Sequence, residues 1–366
     1  VLPPEVPLMV QVKRPSSPTS PLQTRVAPEA STRSKPALGF NAVAARDSFS
    51  TAAPAGSQRG NALSQVNSLR LPIPWPGKGE ADKIGWIQKA YPPAKDSTAE
   101  FQKLNQAVRT GQNVLPPEAK NCVFLAVGGL LSEAAPKEIY FDKNLDALEA
   151  QGLQVGRVPV DTDMGVEHNA AIVRQAVLEA AKNGKQVVLM GHSKGGLDSA
   201  AALALYPELK EHVRALVTIQ SPYGGSPMAQ DLLDNPLVRY GVGGAIEAIG
   251  GSIQAGEDLT YDSRKKFLAE HPMPAGIPTV CMASTTANPT SPLFVAEEYM
   301  QQRYGVKSDG LVLPQDAFIP GSKSVTLHGL DHLDSTGTTL NPFKPYQPED
   351  LTLSLVAMAL NMPKGG

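Results

Sequence analysis

Gly191-His192-Ser193-Lys194-Gly195 sets a serine between two glycines in the G-x-S-x-G pattern. That spacing suits a sharp strand-to-helix turn: the glycines permit close backbone approach, and the serine is lifted clear of the sheet as a nucleophile. A serine hydroxyl attacks poorly at neutral pH, so Ser193 needs a base, and the base needs a carboxylate to orient it. The chain order expected around such a turn is Ser, then Asp or Glu, then His. Four of the six histidines follow Ser193, namely His212, His271, His328 and His332. His212 lies in the charged stretch Lys210-Glu211-His212 and reads as solvated surface. His271 precedes Pro272 at a helix end, where a cation is ordinary. His328 and His332 flank the loop after the last strand candidate. His332, in the loop proper, is the preferred base and His328 its rival.

For the acid, Lys307-Ser308-Asp309-Gly310-Leu311-Val312 sets Asp309 before a turn glycine, 23 residues ahead of His332. A carboxylate there would fix the imidazole tautomer and stabilise the imidazolium. Asp316, Asp331 and Asp334 are rivals, although Asp331 is poorly placed to orient the ring of its own sequence neighbour. The developing oxyanion requires two backbone donors. One is the N–H of Lys194, immediately after the nucleophile. The other comes from Val127-Gly128-Gly129-Leu130-Leu131, where Leu130 N–H is preferred and Gly129 is the neighbour that shares the role. Gly129 and Leu131, with Leu233 and Leu237 further on, are the candidate substrate contacts.

These residues need a scaffold, and from Asn121 onward apolar runs alternate with helical patterns. Strands are expected at Cys122–Val127, Leu153–Val160, Gln186–Met190, Val213–Ile219, Thr279–Ala283 and Ser324–Leu327. Helices are expected at Lys137–Gln151, Val166–Asn183, Gly195–Leu205, Ser263–Glu270 and Pro348–Leu360. The continuous run Val187-Val188-Leu189-Met190 is what a strand covered on both faces requires. The fold class is therefore α/β, a mainly parallel sheet with helices on both faces. Residues 229–256 mix Leu232, Leu233, Leu237, Val238, Ile246, Ile249 and Ile253 with six glycines, which reads as a small helical cap or lid.

Composition narrows the class. Of 366 residues 42% are hydrophobic, and 33 basic side chains nearly balance 35 acidic ones. That argues against wholesale disorder and removes the basic footprint of a nucleic-acid binder. No apolar run approaches the roughly 20 residues of a membrane-spanning helix. Two cysteines, Cys122 and Cys281, cannot staple a fold; both sit in strand candidates and read as small buried apolar side chains. The balance is uneven along the chain. Residues 1–70 carry 8 basic and 3 acidic side chains, net +5, and the remainder is net −7. With 14 Ser/Thr and two aromatics, residues 1–70 read as a flexible tail and 71–366 as the catalytic domain. A transit peptide and a surface-anchoring arm are the other readings of that basic tail. No charged segment followed by an apolar one opens the chain at Val1, so any secretion signal is expected to be gone already.

Taken together, Gly191–Gly196, Ser308–Val312 and His332-Leu333-Asp334 resemble the nucleophile elbow, acid loop and histidine loop of bacterial triacylglycerol lipases. Ser221-Pro222-Tyr223-Gly224-Gly225-Ser226-Pro227 resembles the proline–glycine–serine loop after the next strand, and Asp258-Leu259-Thr260 fits the same order. The resemblance spans about residues 120–340. It implies an α/β-hydrolase fold, a carboxylic-ester substrate, a Ser193–Asp309–His332 triad and a secreted or periplasmic/envelope location. Two departures stand out. The family commonly has His-Gly where this chain has Gly128-Gly129. Related lipases often hold a structural calcium through an Asp two residues after the histidine, which Asp334 matches, but Thr338 replaces the expected glutamine and Asn288–Val295 offers no acidic partner. Asp334 is left as the one candidate ligand, and no cofactor is expected. The reading is a lipase-like serine ester hydrolase acting on small-molecule or lipid esters, with a lipid interface as possible partner surface. A short-chain esterase, lactonase or acyltransferase would share its residues. A non-catalytic binding module on the same scaffold is the alternative from another class.

Overall fold

The structure is a computed structural model describing residues 77–130, 140–162, 164–243, 254–338, 341 and 343–365. The tail assigned to 1–70, Leu131, and residues 244–253 of the cap candidate lie outside the described residues.

Seven strands form one sheet: β1 Lys95–Asp96, β2 Cys122–Val127, β3 Gln154–Val158, β4 Gln186–His192, β5 Val213–Ile219, β6 Thr279–Thr285 and β7 Lys323–His328. Their order is β1-β7-β6-β5-β4-β2-β3, and every neighbouring pair is parallel. Among the described residues, eight helices of eight or more residues accompany them: α1 Thr98–Arg109, α2 Asp142–Ala150, α3 Val166–Ala181, α4 Lys194–Leu205, α5 Pro227–Asp234, α6 Tyr261–Glu270, α7 Phe294–Tyr304 and α8 Pro348–Leu360. The apolar run in β4 shows why the layers form. Successive side chains of a strand point to opposite faces. Val187 and Leu189 accordingly pack with Val173, Val177 and Ala201 from α3 and α4. Val188 and Met190 pack on the other face with Phe101, Leu148 and Leu355 from α1, α2 and α8.

This topology fixes where a site forms. The chain leaves β2 toward α2 on one face and leaves β4 toward α4 on the other. β2 and β4 are neighbours, so their outgoing loops part at the carboxyl edge of the sheet, the place where open parallel sheets bind ligands. Gly128–Leu130 and Ser193 lie on those two loops.

Most expected elements appear within a few residues of their predicted ends, and the departures have physical causes where the backbone or the burial pattern shows one. Of the helix expected over Lys137–Gln151, residues 137–139 lie outside the described residues, and the described part starts at Asp142, because Phe141 adopts a left-handed backbone (φ 66°) that breaks the helical path. β1 went unpredicted because it is two residues long with both side chains exposed, so no hydrophobic pattern marks it. The described part of 229–256 holds the end of α5, a short turn at Pro236–Val238, a π-helical turn at Arg239–Gly243 and the start of a 3-10 segment at Gln254–Leu259.

Both cysteines are free and buried, Cys122 in one layer and Cys281 in the other, and burial pushes the Cys122 thiol up to about 11. Among the described residues, no helix is long and apolar enough to cross a membrane. Phe124, fully buried at the centre of β2, tests the layered core. Phe124→Ala should lower unfolding stability by about 3–5 kcal/mol, read as a shifted denaturant midpoint.

Candidate active site

The glycines around Ser193 are demanded by packing. A Cβ on Gly191 would meet Gly196 Cα at 2.5 Å, and one on Gly195 would meet the Val127 carbonyl oxygen at 2.2 Å. α4 thus starts with its backbone pressed against the end of β2, which no larger residue would allow. Ser193 itself takes φ 55° and ψ −131°, a conformation rare for a residue with a side chain. Its N–H donates to the Ile219 carbonyl (3.0 Å) and its carbonyl accepts from Gly196 N–H (3.1 Å), which holds the turn between β5 and α4. The hydroxyl group sits half-buried at the carboxyl edge of the sheet.

Gly129 lies directly against this turn. A Cβ there would meet Ser193 Cβ at 2.6 Å and Ser193 Oγ at 3.2 Å. Its N–H, however, donates to the Tyr140 hydroxyl (3.1 Å). The donor role shared with Leu130 is therefore not open to Gly129, whose contribution here is the absence of a side chain. Leu130 is half-buried beside it. Lys194 opens α4, where a first-turn N–H has no intrahelical acceptor. Its side chain is turned away into a buried ion pair, Nζ donating to Asp198 at 3.0 and 3.2 Å. Asn169 also donates to Asp198, and burial pushes that carboxyl up to about 7 despite Lys194.

Of the acids considered, Asp309 alone reaches the His332 ring. His332 Nδ1–H donates to Asp309 Oδ2 (2.9 Å), and both side chains are buried. Asp309 Oδ1 accepts the N–H groups of Leu311 (2.9 Å) and Val312 (2.7 Å), and His332 N–H donates to the Asp309 carbonyl (2.9 Å). Gly310 is required at this bend: φ is 105°, and a Cβ would meet that of Leu293 at 2.7 Å. The rivals are occupied elsewhere. His328 is exposed and bonded to Thr285 (2.8 Å). Asp316 accepts from Gly85 N–H and the Tyr261 hydroxyl. Asp331 caps its own turn through Leu333 and Asp334 N–H and accepts from Ser291.

His332 stands beside the serine turn. Its ring centroid is 4.6 Å from that of His192, the residue before Ser193. His332 Nε2 is buried and makes no hydrogen bond, to Ser193 or to any other described group. Bonds of this kind are commonly long before substrate binds and tighten afterwards.

The loop carrying His332 is fastened at nearly every peptide. Ser284 Oγ donates to the Leu330 carbonyl, Gln220 Nε2 to that of Asp331, His192 Nε2 to that of His332, Asn144 Nδ2 to that of Ser335 and Phe141 N–H to that of Thr336. None of Tyr140, Asn144, His192 or Gln220 was singled out from the sequence. One signal was available for Gln220, a polar residue ending the apolar run Val213–Ile219; it sits at φ 49° and also donates to Ser284.

Asp334, the one candidate calcium ligand, is engaged in hydrogen bonds within its own loop. Asp334 Oδ2 accepts from Asp331 N–H (3.1 Å) and Asn341 Nδ2 (3.3 Å). Thr338, at the place of the expected glutamine, donates to the Leu333 carbonyl. No group of three metal-capable side chains comes together among the described residues.

Comparison with known proteins agrees with this architecture. Residues 156–236, from β3 through the serine turn to α5, match the family described as the PGAP1-like alpha/beta domain. A metagenomic carboxyl esterase superposes with a TM-score of 0.59 at 22% identity, covering 73% of this chain and 92% of that one. The mature form of a Bacillus licheniformis lipase gives 0.52 at 23% identity, covering 63% and 91%. The chain has the α/β-hydrolase fold. No curated protein sequence matches it. Within this hydrolase fold, the buried acid–imidazole pair makes a prediction of its own. Asp309→Ala strips the acceptor from two backbone N–H groups and a buried ring, and orphaned donors cost about 1–3 kcal/mol each. Chemical denaturation should therefore show a clear loss of stability, whereas a midpoint equal to the parent's would mean the pair is not formed.

Proposed function

We propose that the chain is a serine carboxylic-ester hydrolase that acts on hydrophobic, lipid-type esters. The observation that carries this reading is the buried Asp309–His332 pair beside a strained turn that presents Ser193 at the carboxyl edge of the sheet. In the proposed reaction Ser193 Oγ attacks the acyl carbonyl and His332 Nε2 takes its proton. Asp309 holds the ring in the tautomer that leaves Nε2 free to accept, and it stabilises the imidazolium that forms. The N–H groups of Leu130 and Lys194 hold the oxyanion. The imidazolium returns the proton to the leaving alkoxide, and water, activated by the same base, then cleaves the acyl-enzyme.

The apolar character of the substrate is supported by the lipase resemblance and by apolar side chains left exposed in the connections between elements. Met164, Leu237, Tyr240 and Phe343 are the exposed large hydrophobics among the described residues, at 43%, 64%, 89% and 90%. They follow β3, β5 and β7 in the chain, in the connections that run on from the strand ends. Leu233, the other leucine expected to touch substrate, is half-buried in α5. We assign the enzyme to a secreted or envelope location and residues 1–70 to a flexible tail, readings supported by the lipase resemblance and the tail's composition.

The test is a chain-length profile on p-nitrophenyl butyrate and palmitate. Both should be hydrolysed, with the larger kcat/KM on palmitate, and Ser193→Ala should lower kcat by about 10⁴–10⁶. Equal rates for Ser193→Ala and the parent would remove the serine mechanism. A strong preference for butyrate would move the assignment to a short-chain esterase.

A further inference from the structure

Between the two loops that meet over Ser193 runs a chain of side-chain hydrogen bonds with one consistent direction. Gly129 N–H donates to the Tyr140 oxygen (3.1 Å), and the Tyr140 hydroxyl is bonded to His192 Nδ1. His192 Nε2 is bonded to the His332 carbonyl (2.9 Å). A carbonyl only accepts, so His192 Nε2 carries the proton. With His192 neutral, Nδ1 is then an acceptor and Tyr140 is its donor. Neutrality is secured by burial: His192 is wholly buried, which holds its pKa well below the usual histidine range, and Tyr140 is held protonated for the same reason. The imidazole is boxed edge-on by Tyr140 (centroids 5.6 Å apart) and Phe141 (6.3 Å), with His332 on another side.

The ends of this chain are what make it more than core packing. One end fixes the peptide before Gly129, whose Cα faces Ser193 and whose successor Leu130 is the proposed oxyanion donor. The other end fixes the backbone of the proposed base itself. The middle is anchored independently: Phe141 N–H donates to the Thr336 carbonyl (3.1 Å), and Arg157, paired with Asp142, donates to the Tyr140 carbonyl. It reaches the base only through the His332 carbonyl, and no side chain of the Ser193–Asp309–His332 set belongs to it.

We propose that Tyr140 and His192 are positioning residues, a polar strut that sets the oxyanion loop at a fixed separation from the His332 backbone across the Ser193 turn. The proposal rests on the serine-hydrolase reading. Its consequence is specific. Losing the strut frees the 128–130 loop, so the cost falls on stabilising the oxyanion more than on binding. A displacement near 1 Å at such a site costs up to about 10²-fold in rate.

The experiment compares p-nitrophenyl butyrate with its thiono analogue, in which sulfur replaces the carbonyl oxygen. Sulfur is a weak acceptor, so the thiono ester gains little from the N–H donors. The ratio of the two kcat values therefore reports oxyanion stabilisation and is independent of how much of a preparation is folded. Tyr140→Phe should lower kcat on the oxygen ester by about 10–10²-fold with KM within about twofold, and should lower the oxygen-to-sulfur ratio at least about fivefold. His192→Gln keeps an N–H for the His332 carbonyl but loses the ring acceptor for Tyr140. It should lower the same ratio and serves where Tyr140→Phe does not fold. An unchanged ratio in a folded variant, whether kcat is unchanged or falls equally on both esters, overturns the strut. In that case an inactive Ser193→Ala leaves the hydrolase reading standing. Parent-level activity in Ser193→Ala would overturn both.

Discussion

The backbone of Ser193 is the constraint on which the rest of the site depends. A non-glycine residue at φ 55° and ψ −131° costs about 1–3 kcal/mol and persists only where its surroundings leave no alternative. Here they leave none. β4 is held between β2 and β5 in a seven-stranded parallel sheet, and Gly191, Gly195 and Gly196 let α4 start within contact of the neighbouring strands. Relaxing the turn would force α4 off β2 and break contacts in a fully buried layer. The fold thus stores strain at the point where the hydroxyl must project, and the buried core offsets it.

Around that point the structure repeatedly trades a side chain for rigidity. Gly129 has none, so its loop can lie on Ser193, and Gly310 has none, so the Asp309 loop can bend against Leu293. Polar groups then fix the positions that glycine would leave loose. Asp309 is filled by two backbone N–H groups and the imidazole, and the His332 loop has carbonyls bonded from Ser284, Gln220, His192, Asn144 and Phe141. These donors come from four different parts of the chain. Such a loop presents one ring orientation, which is what proton transfer to and from a defined oxygen requires.

The legible and illegible parts of the sequence separate along the range of the interactions. Cys122–Val127, Val213–Ile219 and Pro348–Leu360 were readable to the residue because their apolar patterns are local. The meeting of Asp309 with His332 could be anticipated from chain order around the serine turn. The fastening of the loop could not, because Tyr140 meets His192 52 residues away and Gln220 meets Asp331 111 residues away, and nothing in either stretch announces the partner. α1 was missed since it buries little beyond Phe101 and Asn105, one turn apart, too little to form a pattern. Gly129 was read as a donor because sequence shows where an N–H occurs and not whether a tyrosine hydroxyl already occupies it.

The central claim is that this frame makes Ser193 a nucleophile, unlike every other serine in the chain. Treatment with a fluorophosphonate probe, followed by intact mass measurement and peptide mapping, addresses it directly. The account predicts a single adduct per chain, located on the peptide carrying Ser193 and suppressed in Asp309→Ala material that remains folded. A folded parent protein that takes up no probe, or takes it up on another serine, would contradict it.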